Sequence, residues 1–145
     1  MEVYTIGFTK KNAREFFGCL KQAGIRRLVD IRLNNVSQLA GFSKKEDLRF
    51  FLEEVCGAEY VHEPLLAPTQ SILDGYKKRK GSWEDYETQF LRLMEERRVE
   101  HTLDRSFLDR PTVLLCSEPK PDHCHRRLVA EYLRDTWGNL EIVHL

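Results

Sequence analysis

The chain is expected to fold as an α/β protein, a Rossmann-like three-layer sandwich with about five mostly parallel strands and helices on both faces. Two observations predict this. Five short β-branched or apolar runs, Val3–Ile6, Arg27–Ile31, Glu59–His62, Thr112–Cys116 and Leu140–His144, alternate with segments of helical periodicity. With 145 residues, 41% of them hydrophobic, the chain has enough apolar material for one core, so residues 1–145 read as one domain.

Each helix is marked by its ends. Asn12 with Glu15 forms a capping box, Ala13, Phe16, Phe17, Leu20 and Ala23 recur on one face, and Gly24 is a natural stop. In the second helix Ser43 is the expected cap with Glu46 three residues on. Its stripe is Leu48, Phe51, Leu52 and Val55, Cys56 packs near its end, and Gly57 closes it. A third helix starts at Ser82, and Trp83, Tyr86, Phe90, Leu93 and Met94 share its face to about Glu96. The last opens at Pro121 or Asp122, presents Leu128, Val129, Tyr132 and Leu133 to the sheet, and ends at Gly138. The stretch 64–81 is long for a connection, and 97–110 has no clear periodicity.

Charge excludes little and composition excludes more. Lys plus Arg and Asp plus Glu each number 23, so any electrostatic partner must be met by a local patch. The start Met1-Glu2-Val3-Tyr4 has neither the basic residues nor the apolar stretch of an export signal, and no run reaches membrane-spanning length. Four cysteines, at 19, 56, 116 and 124, are too few and too helically placed for a secreted disulfide scaffold. These features predict a soluble cytoplasmic protein with reduced thiols and no membrane association, and leave the oligomeric state open.

Open parallel sheets bind ligands beyond the carboxyl ends of their strands. Here those positions hold Gly7 and Thr9 after the first strand, Asp30, Arg32 and Ser37 after the second, and Cys116 and Glu118 after the fourth. The segment Cys116-Ser117-Glu118-Pro119-Lys120-Pro121-Asp122-His123-Cys124-His125-Arg126 then gathers thiols, imidazoles, carboxylates and a guanidinium where a strand becomes a helix. Thiolates and imidazoles are nucleophiles and bases, and a helix N-terminus stabilises negative charge, so Cys124, placed in the first turn of the last helix beside His125 and Arg126, is expected to have a lowered thiol pKa. Cys116, Cys124, Glu118 and Asp30 are therefore the candidate catalytic residues. Gly7, Thr9, Arg32, Ser37, His125 and Arg126 are the candidate substrate-binding residues, the two arginines holding an anion bidentately. A strand-end cysteine also occurs in rhodanese-like and phosphatase-like folds, but the spacing to Arg126 is too long for either. The bland alternative makes Cys116 a small buried hydrophobe and pairs Glu118 with Arg126.

Thr5-Ile6-Gly7, Val29-Asp30-Ile31-Arg32 with Ser37, Leu115-Cys116-Ser117-Glu118 and Cys124-His125-Arg126 together resemble the domain of unknown function 488 family. The resemblance covers nearly the whole chain and implies a small bacterial or archaeal cytoplasmic α/β domain with a site in these blocks. Members commonly have His-Ser where Phe8-Thr9 stands here, and often Pro at the position of Asn35.

Other readings of the same residues stay open. Cys116, Cys124 and His125 are soft ligands that suit zinc, although seven residues separate the cysteines where zinc sites usually place close pairs. A Cys116–Cys124 redox disulfide is a further alternative. Lys77, Lys78, Arg79 and Lys80, between Tyr76 and Trp83, form a basic loop of the kind that grips phosphates while aromatics stack bases, and Tyr76 is also placed to cover the pocket. His62 is either a site residue or a strand-end side chain, whereas His101 and His144 read as structural. The sequence thus points to an enzyme acting on an anionic small molecule, nucleotide or nucleic acid. The alternative is a non-catalytic nucleic-acid- or metal-binding module.

Overall fold

In the computed structural model, which describes residues 1–35, 41–118 and 120–145, five strands form one sheet in which every pairing is parallel. Strands β1 (Glu2–Gly7), β2 (Arg27–Asp30), β3 (Glu59–His62), β4 (Thr112–Cys116) and β5 (Glu141–His144) lie in the order β3-β2-β4-β1-β5. Central β4 is buried at every position, which its uninterrupted Thr-Val-Leu-Leu-Cys run requires of a strand covered on both faces.

Side-chain alternation divides the core into two layers. Ile6, Leu28, Val113 and Leu115 pack with Phe16, Phe17 and Leu20 of α1 (Ala13–Gln22) and Leu48 of α2 (Lys45–Phe51). On the opposite face Val3, Val29 and Leu114 pack with Phe90 and Met94 of α4 (Trp83–Glu96) and Leu128, Val129 and Leu133 of α6 (His125–Trp137). The expected α/β sandwich is what the chain forms.

The order of the strands places a crevice. Neighbours β1 and β4 send the chain to opposite faces: β1 leaves through α1 toward β2, and β4 leaves through α6 toward β5. Diverging crossovers open the carboxyl edge between two strands, the usual ligand position of such sheets. Gly7 and Cys116 are register partners at that point.

Several helix ends follow the sequence reading. The Asn12 side-chain oxygen accepts the Glu15 amide at 2.8 Å, Gly24 takes φ 70°, and the Ser82 hydroxyl accepts the Asp85 amide at 3.1 Å. Others do not. Ser43 lies in a 3₁₀ turn, Gly41–Ser43, and the cap of α2 is Lys44, with no side-chain capping bond. After Phe51 the helix widens into a π-helical segment, Leu52–Cys56. That change of pitch carries Phe51 and Val55 outward to 36% and 40% exposure while Leu48 and Leu52 stay buried. The stretch 64–81 contains α3 (Gln70–Lys77), started by the Thr69 hydroxyl accepting the Ile72 amide at 3.2 Å, so Lys77 ends a helix instead of lying in a loop. Residues 97–110 hold α5 (Val99–Thr102) and a 3₁₀ turn, Arg105–Leu108. The last helix begins at His125, later than Pro121 or Asp122, because the chain first turns back on itself with the Cys124 amide on the Pro121 carbonyl at 3.2 Å. Among the described residues no helix is long and apolar enough to cross a membrane.

Candidate functional site

β4 ends on Cys116, and the turn after it returns His125 at the first position of α6. The Cys116 Sγ and His125 Nδ1 are 3.4 Å apart, and His125 Nε2 lies 2.7 Å from the Ile31 carbonyl oxygen just beyond β2. A carbonyl only accepts, so Nε2 carries the hydrogen and Nδ1 is left to take the thiol proton. The Phe90 ring meets the imidazole edge-on, with centroids 5.4 Å apart. Both reactive groups are buried, Cys116 to 5% and His125 to 6% exposure.

Electrostatics separates the two thiols. Burial opposes ionisation of Cys116, but a hydrogen bond from the Cys124 thiol and the charge on His125 outweigh it, holding Cys116 well below the ordinary thiol value. Burial likewise opposes protonation of His125, and the Cys116 thiolate more than offsets it, so His125 is raised. Cys124 is pushed up by burial and then by the Cys116 charge. Cys124 is the N-cap residue of α6, in extended backbone with no side-chain capping bond, and does not lie in its first turn. The thiol favoured as thiolate is therefore Cys116.

Cys116 opens on a cavity of about 240 Å³ whose lining includes Arg32, Tyr76, Lys77, Trp83, Tyr86, Ser117, Glu118, His123, Cys124 and His125. One wall is a stack of rings: His123 on Trp83 (5.0 Å, 20°), Trp83 on Tyr86 (4.9 Å, 19°) and Tyr86 on Phe90 (6.1 Å, 2°). Trp83 and Tyr86 carry a helical core stripe in the sequence, and they do pack in the core; that spacing cannot tell that the same two rings also face a cavity. Tyr76 reaches the cavity from α3. Lys77 Nζ and Glu118 Oε1 pair at 2.7 Å, so the Glu118 carboxylate is held by Lys77, and the Arg126 side chain reaches the Glu118 main-chain carbonyl instead.

Asp30 and Arg32 are locked together. Arg32 Nε and Nη2 donate to the two carboxylate oxygens, each at 2.8 Å, while the Arg32 amide (3.1 Å) and the Tyr60 hydroxyl (2.6 Å) also donate to Asp30. Arg32 Nη2 donates to the Ser43 carbonyl at 2.7 Å, and the guanidinium lies over Phe8, 5.3 Å from the ring centroid. Arg32 lines the cavity, and its buried Nη1 has no hydrogen-bond partner among the described residues. Asp30 is fully buried and outside the lining. His62 Nε2 lies 3.0 Å from the Arg32 carbonyl, a strand-end bond.

Gly7 and Arg126 belong to one close contact. A Cβ on Gly7 would lie 1.7 Å from the Glu118 carbonyl oxygen and 2.4 Å from Arg126 Nη1. Arg126 is fully buried, donates through Nη1 to that carbonyl, and leaves Nε and Nη2 without partners among the described residues. Neither residue lines the cavity. Thr9 is exposed and its amide donates to the Ser117 carbonyl at 3.1 Å. Ser37 lies outside the described residues. Lys78, Arg79 and Lys80 are exposed, away from the cavity, with Lys78 near Asp74 at 3.7 Å. His144 bonds Thr5 at 2.5 Å, while His101 is exposed.

Metal-ligating chemistry concentrates in the same place. The ligand atoms of Cys116, Cys124 and His125 all lie within 4.8 Å of one another, and all three residues are buried. The described cysteines are free thiols.

The parallel sheet defines the class, a Rossmann-like α/β protein, and a buried cysteine–histidine pair lies at its carboxyl edge. Residues 12–133 match the family described as domain of unknown function DUF488, and the chain belongs to it. No curated protein and no solved structure matches the chain.

Proposed function

We propose that the protein is a thiol-dependent enzyme in which Cys116 attacks an electrophilic centre of a small anionic substrate. One arrangement carries the reading: Cys116 Sγ 3.4 Å from His125 Nδ1, with His125 Nε2 anchored 2.7 Å from the Ile31 carbonyl. Nucleophile, base and orienting group stand in the order that nucleophilic catalysis uses. His125 takes the thiol proton. The thiolate then bonds to the electrophilic centre as the bond to the leaving group breaks, the electron pair departing with the leaving group and Nδ1–H supplying its proton. Water, deprotonated by His125, next attacks the adduct, and sulfur leaves as the thiolate facing imidazolium.

The guanidinium of Arg32, a residue that lines the cavity and whose buried Nη1 has no hydrogen-bond partner among the described residues, supports an anionic group on the substrate. A cavity of about 240 Å³ with aromatic walls suits a small molecule with an apolar or ring portion, a nucleotide fragment being of this type, better than a polymer. Proton transfer falls to His125 because both Asp30 oxygens are already bonded and Glu118 is paired with Lys77.

The test compares an anionic with a neutral electrophile. In metal-free protein at neutral pH, Cys116 should be alkylated at least about tenfold faster than Cys19, with iodoacetate matching or outpacing iodoacetamide although it is the intrinsically slower reagent. His125→Gln should remove the advantage. Labelling of Cys116 no faster than that of Cys19 would end the nucleophile reading, and a plain preference for iodoacetamide would end the anionic-substrate reading.

A further inference from the structure

A nucleophilic mechanism uses Cys116 and His125 and asks of Cys124 only a hydrogen bond to the Cys116 sulfur, yet Cys124 is 98% buried with its own sulfur turned to the same point. From this geometry we infer that Cys116, Cys124 and His125 form a site for one zinc ion whose fourth position opens into the cavity. Tetrahedral ligand atoms with arms of about 2.0–2.3 Å stand about 3.3–3.8 Å apart. Cys116 Sγ and His125 Nδ1 are already 3.4 Å apart, and Cys124 Sγ lies within 4.8 Å of both, so one sulfur moving by about 1 Å or less completes the set.

Three further features fit. His125 donates its other ring nitrogen to the Ile31 carbonyl at 2.7 Å, the outer partner that fixes a metal-bound imidazole in its ligating tautomer. Two thiolates balance a divalent cation, so the loaded centre is neutral where it is buried. The hard oxygen ligands nearby are engaged elsewhere, Asp30 by Arg32 and Glu118 by Lys77, which leaves a sulfur- and nitrogen-rich set that selects zinc over magnesium or calcium. All three ligands line the cavity, so the open position faces it.

The consequence rests on the nucleophile reading above. A metal ion takes both the Cys116 lone pair and the His125 Nδ1, so zinc and an attacking thiolate are alternative states of the same atoms, and zinc silences the enzyme reversibly.

Cobalt(II) titrated into chelator-stripped, reduced protein gives a readout independent of activity. A single tetrahedral cobalt ion per chain is expected, with thiolate-to-metal charge transfer that zinc displaces. Cys116→Ser and Cys124→Ser should each lower that intensity by about half and weaken binding at least tenfold, while Cys56→Ser should leave both unchanged. Zinc should also suppress Cys116 alkylation until chelator is added. Fast alkylation of stripped protein without a cobalt charge-transfer band overturns the metal site alone. A cobalt band with ordinary alkylation overturns the nucleophile alone and sustains the metal site. A band of undiminished intensity and unweakened affinity in Cys124→Ser overturns the ligand set, and the wild-type titration decides the matter even if a variant fails to fold.

Discussion

Gly7 lacks a side chain because the Glu118 carbonyl and the Arg126 guanidinium occupy the place one would take. Gly7→Ala should cost about 1–3 kcal/mol, seen as a lower urea midpoint with an unchanged slope, because the turn leading to His125 must shift. Asp30 acts as the counter-charge of a buried arginine. Asp30→Asn strands that charge and should cost about 3–5 kcal/mol, read by the same denaturation. The Cys116–His125 pair sets a pH window. Cys116 has its folded value depressed, so its contribution to stability is fully present above the unfolded value and is lost as pH falls through the folded one. His125 has its value raised, so its contribution is present below the unfolded value and is lost as pH rises through the folded one. Each charge favours the other, so the pair's contribution falls away toward acid as Cys116 protonates and toward alkali as His125 loses its proton. Iodoacetamide labelling of Cys116 should stay on its plateau well below pH 9.0, the ordinary thiol value, and His125→Gln should move the rise back toward it.

Element ends repeat the lesson that local signals are reliable where a local bond enforces them. Asn12→Ala removes the acceptor of the Glu15 amide and should cost about 1 kcal/mol, measurable as a fall in the thermal midpoint. Asn12, Gly24 and Ser82 were all legible because each makes a bond or conformation within a few residues of itself. The strands were legible to within a residue or two at their ends, since a parallel sheet covered on both faces demands apolar runs. The second helix shows the limit. Its 3.6-residue stripe predicts Phe51 and Val55 inside, and the π-helical segment that turns them outward leaves no mark in that periodicity. The candidate site divides in the same way. Cys116, Cys124 and His125 cluster as their chemistry suggests and Tyr76 reaches the cavity as its place in the long 64–81 stretch suggests, whereas Arg126 and Gly7 serve a close contact and Lys77, Trp83 and Tyr86 join the cavity from helices that only the tertiary fold brings near.

Across the molecule the formal net charge is zero, so a polyanion would need a local basic patch such as the exposed tip Lys78-Arg79-Lys80. Replacing those three residues by alanine should leave Cys116 labelling unchanged, and wild-type protein should show no strong salt-dependent binding of a labelled single strand; tight binding lost in the triple variant would favour a nucleic-acid module instead. The sheet order gives the site its rigidity, since Cys116 comes from the central strand and the Ile31 carbonyl from just beyond its neighbour β2. In many triads the group that orients the base is a side chain, and one codon change can delete it. Here it is main chain. Any residue at position 31 that keeps the strand's path supplies the same oxygen, so exchanges such as Ile31→Val or Ile31→Leu should be tolerated. A mutational scan would then mark Cys116 and His125 as essential and pass silently over the third member of the relay.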